Sequence, residues 1–231
     1  MRRSALLLGS VIVACCIAPI HAAPIYLNPD IQNLGFEDLT TFNSSCCTPT
    51  QYWSQNVVPS WTSVGTSGTY RPIANLTIPA FIDPLEGLNV AYTDALGYIY
   101  QDLTGISPTP NTDYALSYAV GRRYDMAPGD YRMAVTIGTM PTGPFWVEGV
   151  NMFTLFGSTA SVSPGTWQYQ TLSFNSGSAY PTGQPFRVWL ATDTGGQVEW
   201  DVVPEPGTLA LLGPALLIGG SILARRRARK S

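Results

Sequence analysis

The sequence predicts an all-β fold, a single β-sandwich of the jelly-roll type. Short runs rich in Val, Ile, Thr and aromatic residues recur from residue 33 to residue 203. Clusters of Gly, Pro, Asn and Asp separate these runs, as at 108–111, 127–130, 163–165 and 193–196. No helical period competes with this pattern, and about eight strands with frequent turns are typical of a sandwich.

The predicted strands follow the apolar and β-branched runs in chain order. They cover residues 88–93, 99–103, 114–120, 131–137, 153–156, 167–174, 186–191 and 198–203. Pro204 and Pro206 end the last strand, because closely spaced prolines cannot donate to a sheet. We therefore expect one domain over residues 23–203, with a targeting segment on each side.

Residues 1–22 have the three parts of a secretory signal peptide. Arg2 and Arg3 form a charged start, residues 6–18 are apolar, and a small-residue site allows cleavage between Ala22 and Ala23. Two alternatives stay open. The segment is a retained membrane anchor in the first, and a lipoprotein signal with Cys15 as the lipidated residue in the second.

The C-terminus combines Val203, Pro204, Glu205 and Pro206 with an uncharged apolar span over 208–224 and a basic cluster over 225–230. The span is just long enough to cross a bilayer, and the basic cluster should stay in the cytoplasm. This tail resembles the PEP-CTERM sorting signal of Gram-negative bacteria that make exopolysaccharide or biofilm. The resemblance implies cleavage by an exosortase partner, a transient inner-membrane anchor, and delivery to the cell surface or extracellular matrix. An ordinary tail anchor is the alternative.

Charge excludes several functions of the central domain. Residues 23–203 contain 5 basic and 14 acidic side chains, a net charge of 5 − 14 = −9, so we expect no nucleic-acid binding. The single histidine, His21, lies in the signal peptide. Its loss excludes histidine-based catalysis and histidine-ligated zinc.

Cysteine usage agrees with export. Cys46 and Cys47 are adjacent in the mature chain. A disulfide between neighbours is strained, so three states stay open: a disulfide between Cys46 and Cys47, a pair of thiols, or a cross-link between two chains.

Several short segments occur in the order found in galactose-binding-like jelly rolls, which include carbohydrate-binding modules. They are the opening strand, Asn-Leu-Gly-Phe-Glu at 33–37, then Trp61, and the segments 86–91, 99–103, 111–123 and 197–203. The resemblance implies a structural Ca²⁺ ion held by an early glutamate and a late aspartate, here Glu37 and Asp201. We give Asp38 and Glu199 less weight, because neighbours in a strand point to opposite faces. The alternative is that these acids are solvated or pair with arginines.

Aromatic residues supply the candidate ligand site. Trp53, Trp61 and Trp146 lie in or beside predicted loops, where a ring can stack on the face of a sugar. The alternative for each is a place in the β-sheet core.

Together these observations predict a non-enzymatic, exported surface or matrix protein that binds carbohydrate or exopolysaccharide. A structural or adhesive domain without a small ligand is the second hypothesis, with cross-linking through Cys46 and Cys47. The third is a small glycan hydrolase that uses two carboxylates. No short motif marks an acid and a nucleophile, so the sequence predicts that the protein is not an enzyme.

Overall fold

The computed structural model describes residues 23–39, 41–46, 51–72, 82–85, 87–138, 152–178 and 183–202. In these residues the chain forms eleven strands and two short 3₁₀ turns, Asn28–Asp30 and Thr159–Ser161. The strands are β1 Ile25–Tyr26, β2 Ser44–Cys46, β3 Gln51–Gln55, β4 Thr62–Arg71, β5 Val90–Leu103, β6 Asp113–Arg122, β7 Gly129–Ile137, β8 Met152–Ser158, β9 Thr166–Asn175, β10 Phe186–Gly195 and β11 Val198–Val202.

All eleven strands belong to one curled sheet. Its main path runs β1-β6-β11-β5-β10-β7-β8, with β9 on β6 and the series β2-β3-β4 joined to β5. Every pairing is antiparallel except that of β1 with β6. The curl brings two layers face to face, as in a sandwich, and a large apolar cluster fills the space between them.

Strict alternation along the strands builds this core. On β6, Tyr114, Leu116 and Tyr118 point into the cluster, and on β10 Phe186 and Val188 do the same. The intervening residues point outward because successive side chains of a strand alternate between faces. Many aromatic side chains of the sequence are therefore core residues.

The curl depends on a bulge in β5. Ala95 and Leu96 have positive φ angles of 35° and 68°, and the register with β4 shifts between Val64 and Thr66. Before the bulge β5 pairs with β11, and after it β5 pairs with β10. One long strand thus serves both layers, because a bulge bends and twists the strand that contains it.

The all-β prediction is confirmed. The predicted strands recur within β5 to β11, but the runs at 88–93 and 99–103 belong to a single strand. The sequence analysis missed β4, whose Gly, Ser and Thr residues resemble a loop. It also read 33–37 as a strand, whereas these residues form turns and Phe36 has a positive φ of 63°.

The predicted targeting segments, residues 1–22 and 204–231, lie outside the described residues, as do Ala22, Val203, Pro204, Glu205 and Pro206. Within the described part of the chain, no helix is long and apolar enough to span a membrane.

Candidate functional site

Glu199 carries a carboxyl group that is fully buried in the protein. It lies on β11, its exposed fraction is 0%, and neither carboxyl oxygen has a hydrogen-bond partner among the described residues. Burial raises the pKa of Glu199 well above its ordinary value. The positive charge of Arg123 opposes this shift, and the negative charges of Asp125 and Asp94 reinforce it. The acid therefore holds its proton under conditions in which an exposed glutamate is ionised.

The register of the sheet places Glu199 in a row of aromatic and glycine residues. Glu199 pairs with Gly121 on one side and with Tyr92 on the other. Trp167 pairs with Gly121, and Gly68 pairs with Tyr92. Gly121 lies directly beside the acid, and the Trp167 ring and Ile82 occupy the space above it; Gly68 lies one strand farther away, beyond Tyr92.

Gly121 shows how tight this arrangement is. A Cβ atom there would lie 2.6 Å from Cδ1 of Ile82 and 2.7 Å from the Trp167 ring. The indole N–H of Trp167 donates to the backbone oxygen of Asp83 at 2.7 Å. Segment 82–85 and Trp167 therefore form a cover over the sheet beside Glu199.

Two tyrosines line the same face. Tyr70 and Tyr92 pack with Ile82 and Val90 in a cluster whose edge is completed by Trp53 and Trp167. Burial, and then the charge of Glu199, raise the pKa of Tyr92 to about 12. The same two causes raise the pKa of Tyr70. Both phenols stay neutral, so the site offers hydroxyl groups and ring faces beside one acid.

Arg123 is the cation nearest to the acid. Its Nε lies 3.9 Å from Oε1 of Glu199, which is within ion-pair distance. The pKa of Glu199 is nevertheless raised, because burial outweighs this charge. The guanidinium instead donates to Asp125 through Nε at 2.9 Å and Nη2 at 2.7 Å, and to Gln197 through Nη1 at 3.0 Å.

Glu37 and Asp201, the predicted calcium ligands, both hold the segment that precedes β5. Glu37 accepts hydrogen bonds from the backbone N–H groups of Leu88 and Asn89 at 2.8–3.0 Å. Asp201 accepts from the N–H of Leu85 at 2.6 Å. The described residues contain no group of three or more His, Cys, Asp or Glu arranged to hold a metal. Calcium binding by this pair stays a prediction.

The three predicted ligand-binding tryptophans have different positions. Trp53 lies half-buried on β3 at the edge of the Tyr70 cluster, so it borders the candidate site. Trp61 is only 7% exposed and packs against Phe36 and Tyr118, which makes it a core residue. Trp146 lies outside the described residues.

The side chains of the predicted Cys46–Cys47 pair lie outside the described residues. Cys46 is the last residue of β2, but its side chain is outside the described part, and so is the whole of Cys47.

The sequence analysis did not identify Glu199 as a functional residue, although the alternation of side chains along its strand indicated one. It gave Glu199 less weight on the ground of alternation, but alternation places residues two apart on the same face. Glu199 and Asp201 therefore share the outer face of β11, and both are fully buried. Two acids on one face of an otherwise apolar closing strand predict a polar site.

An open depression of about 480 Å³ lies elsewhere, beside β7, β8 and β10. Its carboxylates already have partners: Asp130 accepts from Thr194 at 2.6 Å, and Asp193 pairs with Arg132 at 3.1 Å. Its phenyl group, Phe156, faces the guanidinium of Arg132 at 4.6 Å. Both carboxylates of the depression are thus paired, whereas the Glu199 carboxyl group has no hydrogen-bond partner among the described residues. We therefore take the surroundings of Glu199 as the candidate site.

Solved structures share this fold at low sequence identity. The Stig cyclase Fisc from Fischerella sp. TAU, in complex with (3Z)-3-(1-methyl-2-pyrrolidinylidene)-3H-indole, has a TM-score of 0.56 at 18% identity. A cyclase from the same source, in complex with 4-(1H-indol-3-yl)butan-2-one, has a TM-score of 0.55 at 18% identity. Each match covers 74% of this chain and 92% of the other.

A xylan-binding domain from Paenibacillus barcinonensis, a family 22 carbohydrate-binding module, reaches a TM-score of 0.42 at 15% identity. That match covers 72% of this chain and 86% of the module. This likeness is too low to carry an argument about polysaccharide binding. No curated protein matches the chain.

The family model described as HpiC1 cyclase, HpiC1-like, matches residues 28–204, which is most of the chain. This finding overturns the prediction of a non-enzymatic protein that binds carbohydrate or acts in adhesion, and it does not support the glycan hydrolase alternative. The sequence analysis failed here because a jelly roll is shared by binding modules and enzymes, and fold alone does not decide function. The chain belongs to the HpiC1-like cyclase family.

Proposed function

We propose that this protein catalyses an acid-promoted cyclisation of an apolar small molecule, with Glu199 as the proton donor. The observation that carries the proposal is the buried carboxyl group of Glu199, which has no hydrogen-bond partner among the described residues. A protonated acid in a dry, aromatic environment can give its proton to a weakly basic carbon, which an ionised carboxylate cannot do.

The proton balance of such a step is simple. The Glu199 carboxyl group donates its proton to one carbon of a carbon–carbon double bond, and the adjacent carbon becomes a cation. A second double bond of the same substrate attacks this cation and closes a ring. Loss of a proton back to the Glu199 carboxylate restores the acid, so the reaction is an isomerisation and needs no co-reactant.

The surrounding side chains suit a cationic intermediate. Tyr92 lies beside Glu199 in the sheet and packs in one cluster with Tyr70, Trp53 and Trp167. Aromatic faces attract a nearby cation by about 2 kcal/mol or more in a dry site. These side chains carry no strong nucleophile that would trap the intermediate. The apolar walls also exclude water, which would otherwise add to the cation.

The substrate class we propose is an aromatic molecule of the indole type. The two Fischerella cyclases of the same fold were solved with indole-containing ligands. A site bordered by four aromatic side chains and one neutral acid can bind a flat ring by stacking, and it needs no compensating charge.

Binding and catalysis can be tested separately. We expect 4-(1H-indol-3-yl)butan-2-one to bind the full chain and to quench its tryptophan fluorescence, and Trp53→Ala to weaken this binding.

With an alkenyl indole as substrate, Glu199→Gln should abolish ring closure and Glu199→Asp should retain part of it. Asp38→Asn, a change at an exposed acid, serves as the control. Ring closure at an unchanged rate by Glu199→Gln would refute the proposal.

We also propose that the enzyme is exported and processed at its C-terminus. The support is the sequence alone: the signal peptide over 1–22 and the PEP-CTERM-like tail over 204–231. Mass spectrometry of surface and medium protein tests this. Peptides that begin at Ala23 and end near Pro204 are expected, and recovery of peptides from 209–223 in mature protein would contradict it.

A further inference from the structure

We propose that Trp167 is a positioning residue, whose indole N–H holds segment 82–85 in place beside Glu199 and so keeps water away from the reacting cation. The inference rests on the proposed function of Glu199 and adds a residue to it. The exposed fraction of Glu199 is 0%, so a substrate reaches this acid only if part of its surroundings moves aside and then returns.

Segment 82–85 is the part of these surroundings that can move at the lowest cost. The strands on either side of Glu199 are fixed by the ladders that join β11 to β5 and to β6. Residues 82–85 belong to no strand, and segments without ladder hydrogen bonds open more easily than the strands of a sheet. Ile82 is nevertheless fully buried, because it packs over Gly121 beside the Trp167 ring.

Among the described residues, two hydrogen bonds tie this segment to the sheet. The indole N–H of Trp167 donates to the backbone oxygen of Asp83 at 2.7 Å, and the backbone N–H of Leu85 donates to Asp201 at 2.6 Å. The Trp167 bond lies at the protein surface, so it can open and re-form while the sheet stays intact. It is also the bond that holds the half of the segment that contains Ile82.

Water in the site would divert the proposed reaction. After Glu199 protonates one double bond, the second double bond of the substrate must reach the cation before water does. If water arrives first, its oxygen bonds to the cationic carbon and one of its protons passes to the Glu199 carboxylate. The net reaction is then hydration of the double bond, which consumes one water molecule and gives an open-chain alcohol. Segment 82–85 in its closed position excludes that water, as the covers of other active sites do.

The first test is the product ratio with an alkenyl indole as substrate. Trp167→Phe keeps an aromatic ring over Gly121 and removes the N–H group. We expect the ratio of open-chain alcohol to ring product to rise about five-fold, because one hydrogen bond of ordinary strength is lost. In H₂¹⁸O the alcohol should carry the ¹⁸O label. Replacement of Trp167 by benzothienylalanine, in which sulfur takes the place of the N–H group, should have the same effect at nearly constant ring size.

Trp189→Phe is the matched control. The indole N–H of Trp189 also donates a hydrogen bond, to the hydroxyl oxygen of Thr136 at 3.1 Å. Trp189 packs with Tyr98 and Ala134 in a different cluster, so its loss should leave the product ratio at the wild-type value.

A second readout needs no substrate. Hydrogen–deuterium exchange of the Leu85 N–H group in the full chain measures opening of the segment, since opening breaks the bond of this group to the sheet. We expect exchange at Leu85 to become about five-fold faster in both Trp167 variants and to stay unchanged in the control. The N–H groups of Leu88 and Asn89, which donate to Glu37 at 2.8–3.0 Å, are an internal reference and should keep their exchange rates.

The outcomes separate this inference from the proposed function. Faster exchange at Leu85 together with more alcohol supports the inference. Unchanged exchange in both Trp167 variants, with melting curves that show folded protein, overturns it and leaves Glu199 as the acid. Faster exchange with an unchanged product ratio overturns it as well, because the segment then does not keep water from the cation. If the wild type closes no ring, the proposed function fails, and exchange at Leu85 still decides whether Trp167 holds the segment.

Discussion

Glu199 and Asp201 are equally buried on the same face of β11, but they differ in their partners. Asp201 accepts a hydrogen bond from the backbone N–H of Leu85 at 2.6 Å. Glu199 has no comparable donor among the described residues. Two acids on one strand are thereby suited to different tasks: Asp201 anchors a segment, and Glu199 keeps a proton.

The raised pKa of Glu199 has a consequence for stability. The ordinary pKa of glutamate is about 4.5, and burial raises it in the folded protein. Protonation of Glu199 thus stabilises the fold fully below about pH 4.5, and this contribution is lost as pH rises through the folded pKa. Glu199→Gln removes the titration, so the melting temperature of the variant relative to the wild type should increase with pH above about 4.5.

Thermal melts of both proteins across this pH range measure the effect. The control is Asp38→Asn, whose side chain is exposed, and its difference from the wild type should stay flat. A flat difference for Glu199→Gln as well would mean that the folded and unfolded proteins bind the Glu199 proton equally.

Gly121 is expected to be essential for the shape of the site. A Cβ atom at this position would displace Ile82 and the Trp167 ring, so Gly121→Ala should cost about 1–3 kcal/mol of stability and weaken indole binding. Gly177→Ala is a useful comparison, because no atom lies within 4 Å of its added Cβ and its φ is +72°. It should cost about 1–2 kcal/mol through backbone strain alone and leave binding unchanged. Titration with 4-(1H-indol-3-yl)butan-2-one and chemical unfolding distinguish the two effects.

At the scale of elements, β5 connects the candidate site to the rest of the sheet. Its first half carries Tyr92 beside Glu199, and its second half packs against β10. The bulge at Ala95 and Leu96 allows this change of partner. The aromatic face of the second half, where the ring centres of Tyr100 and Trp189 lie 4.7 Å apart, is therefore separate from the site.

The bulge leads to a prediction for Gly97. A Cβ atom there would lie far inside van der Waals distance of the backbone oxygen of Thr66, which cannot move without breaking the β4–β5 pairing. Gly97→Ala should therefore destabilise the protein by about 2–3 kcal/mol. Ala95→Gly, at an exposed position with positive φ, should be neutral or slightly stabilising. Equal stability of the two variants in urea unfolding would contradict this view of the bulge.

For the whole molecule, the first and last parts of the domain meet at one segment. Glu37 bonds Leu88 and Asn89, and Asp201 bonds Leu85, so both ends hold the chain that enters β5. Segment 82–85 also covers the candidate site. Closure of the domain and closure of the site thus depend on the same contacts.

A calcium ion held by Glu37 and Asp201 would join the first and last parts of the domain. If an ion joins Glu37 and Asp201, excess Ca²⁺ should raise the melting temperature relative to chelator, because a ligand of the folded state alone stabilises it. Asp201→Asn should abolish that difference. Equal melting temperatures in Ca²⁺ and in chelator would mean that Glu37 and Asp201 hold the segment before β5 through hydrogen bonds to backbone N–H groups alone.

The all-β class and the positions of most strands follow from the amino-acid sequence alone. Alternation of apolar residues and the spacing of turn-forming residues are local properties, so they can be read from the order of residues. The same reasoning failed at β4, because its glycines and small polar residues are stabilised by pairing with β3 and β5, which are distant in the sequence. It failed at 33–37 because turns stabilised by long-range contacts have no strong local signal.

The site was decided by the tertiary structure. Glu199 acquires its properties from Gly121 and Tyr92 on neighbouring strands, and from Ile82 and Trp167, which cover the sheet beside it. A raised pKa is a consequence of lost hydration and nearby charge, and both depend on distances in space. The sequence shows a glutamate in a strand, and only the packing of remote residues around it makes that glutamate an acid that keeps its proton.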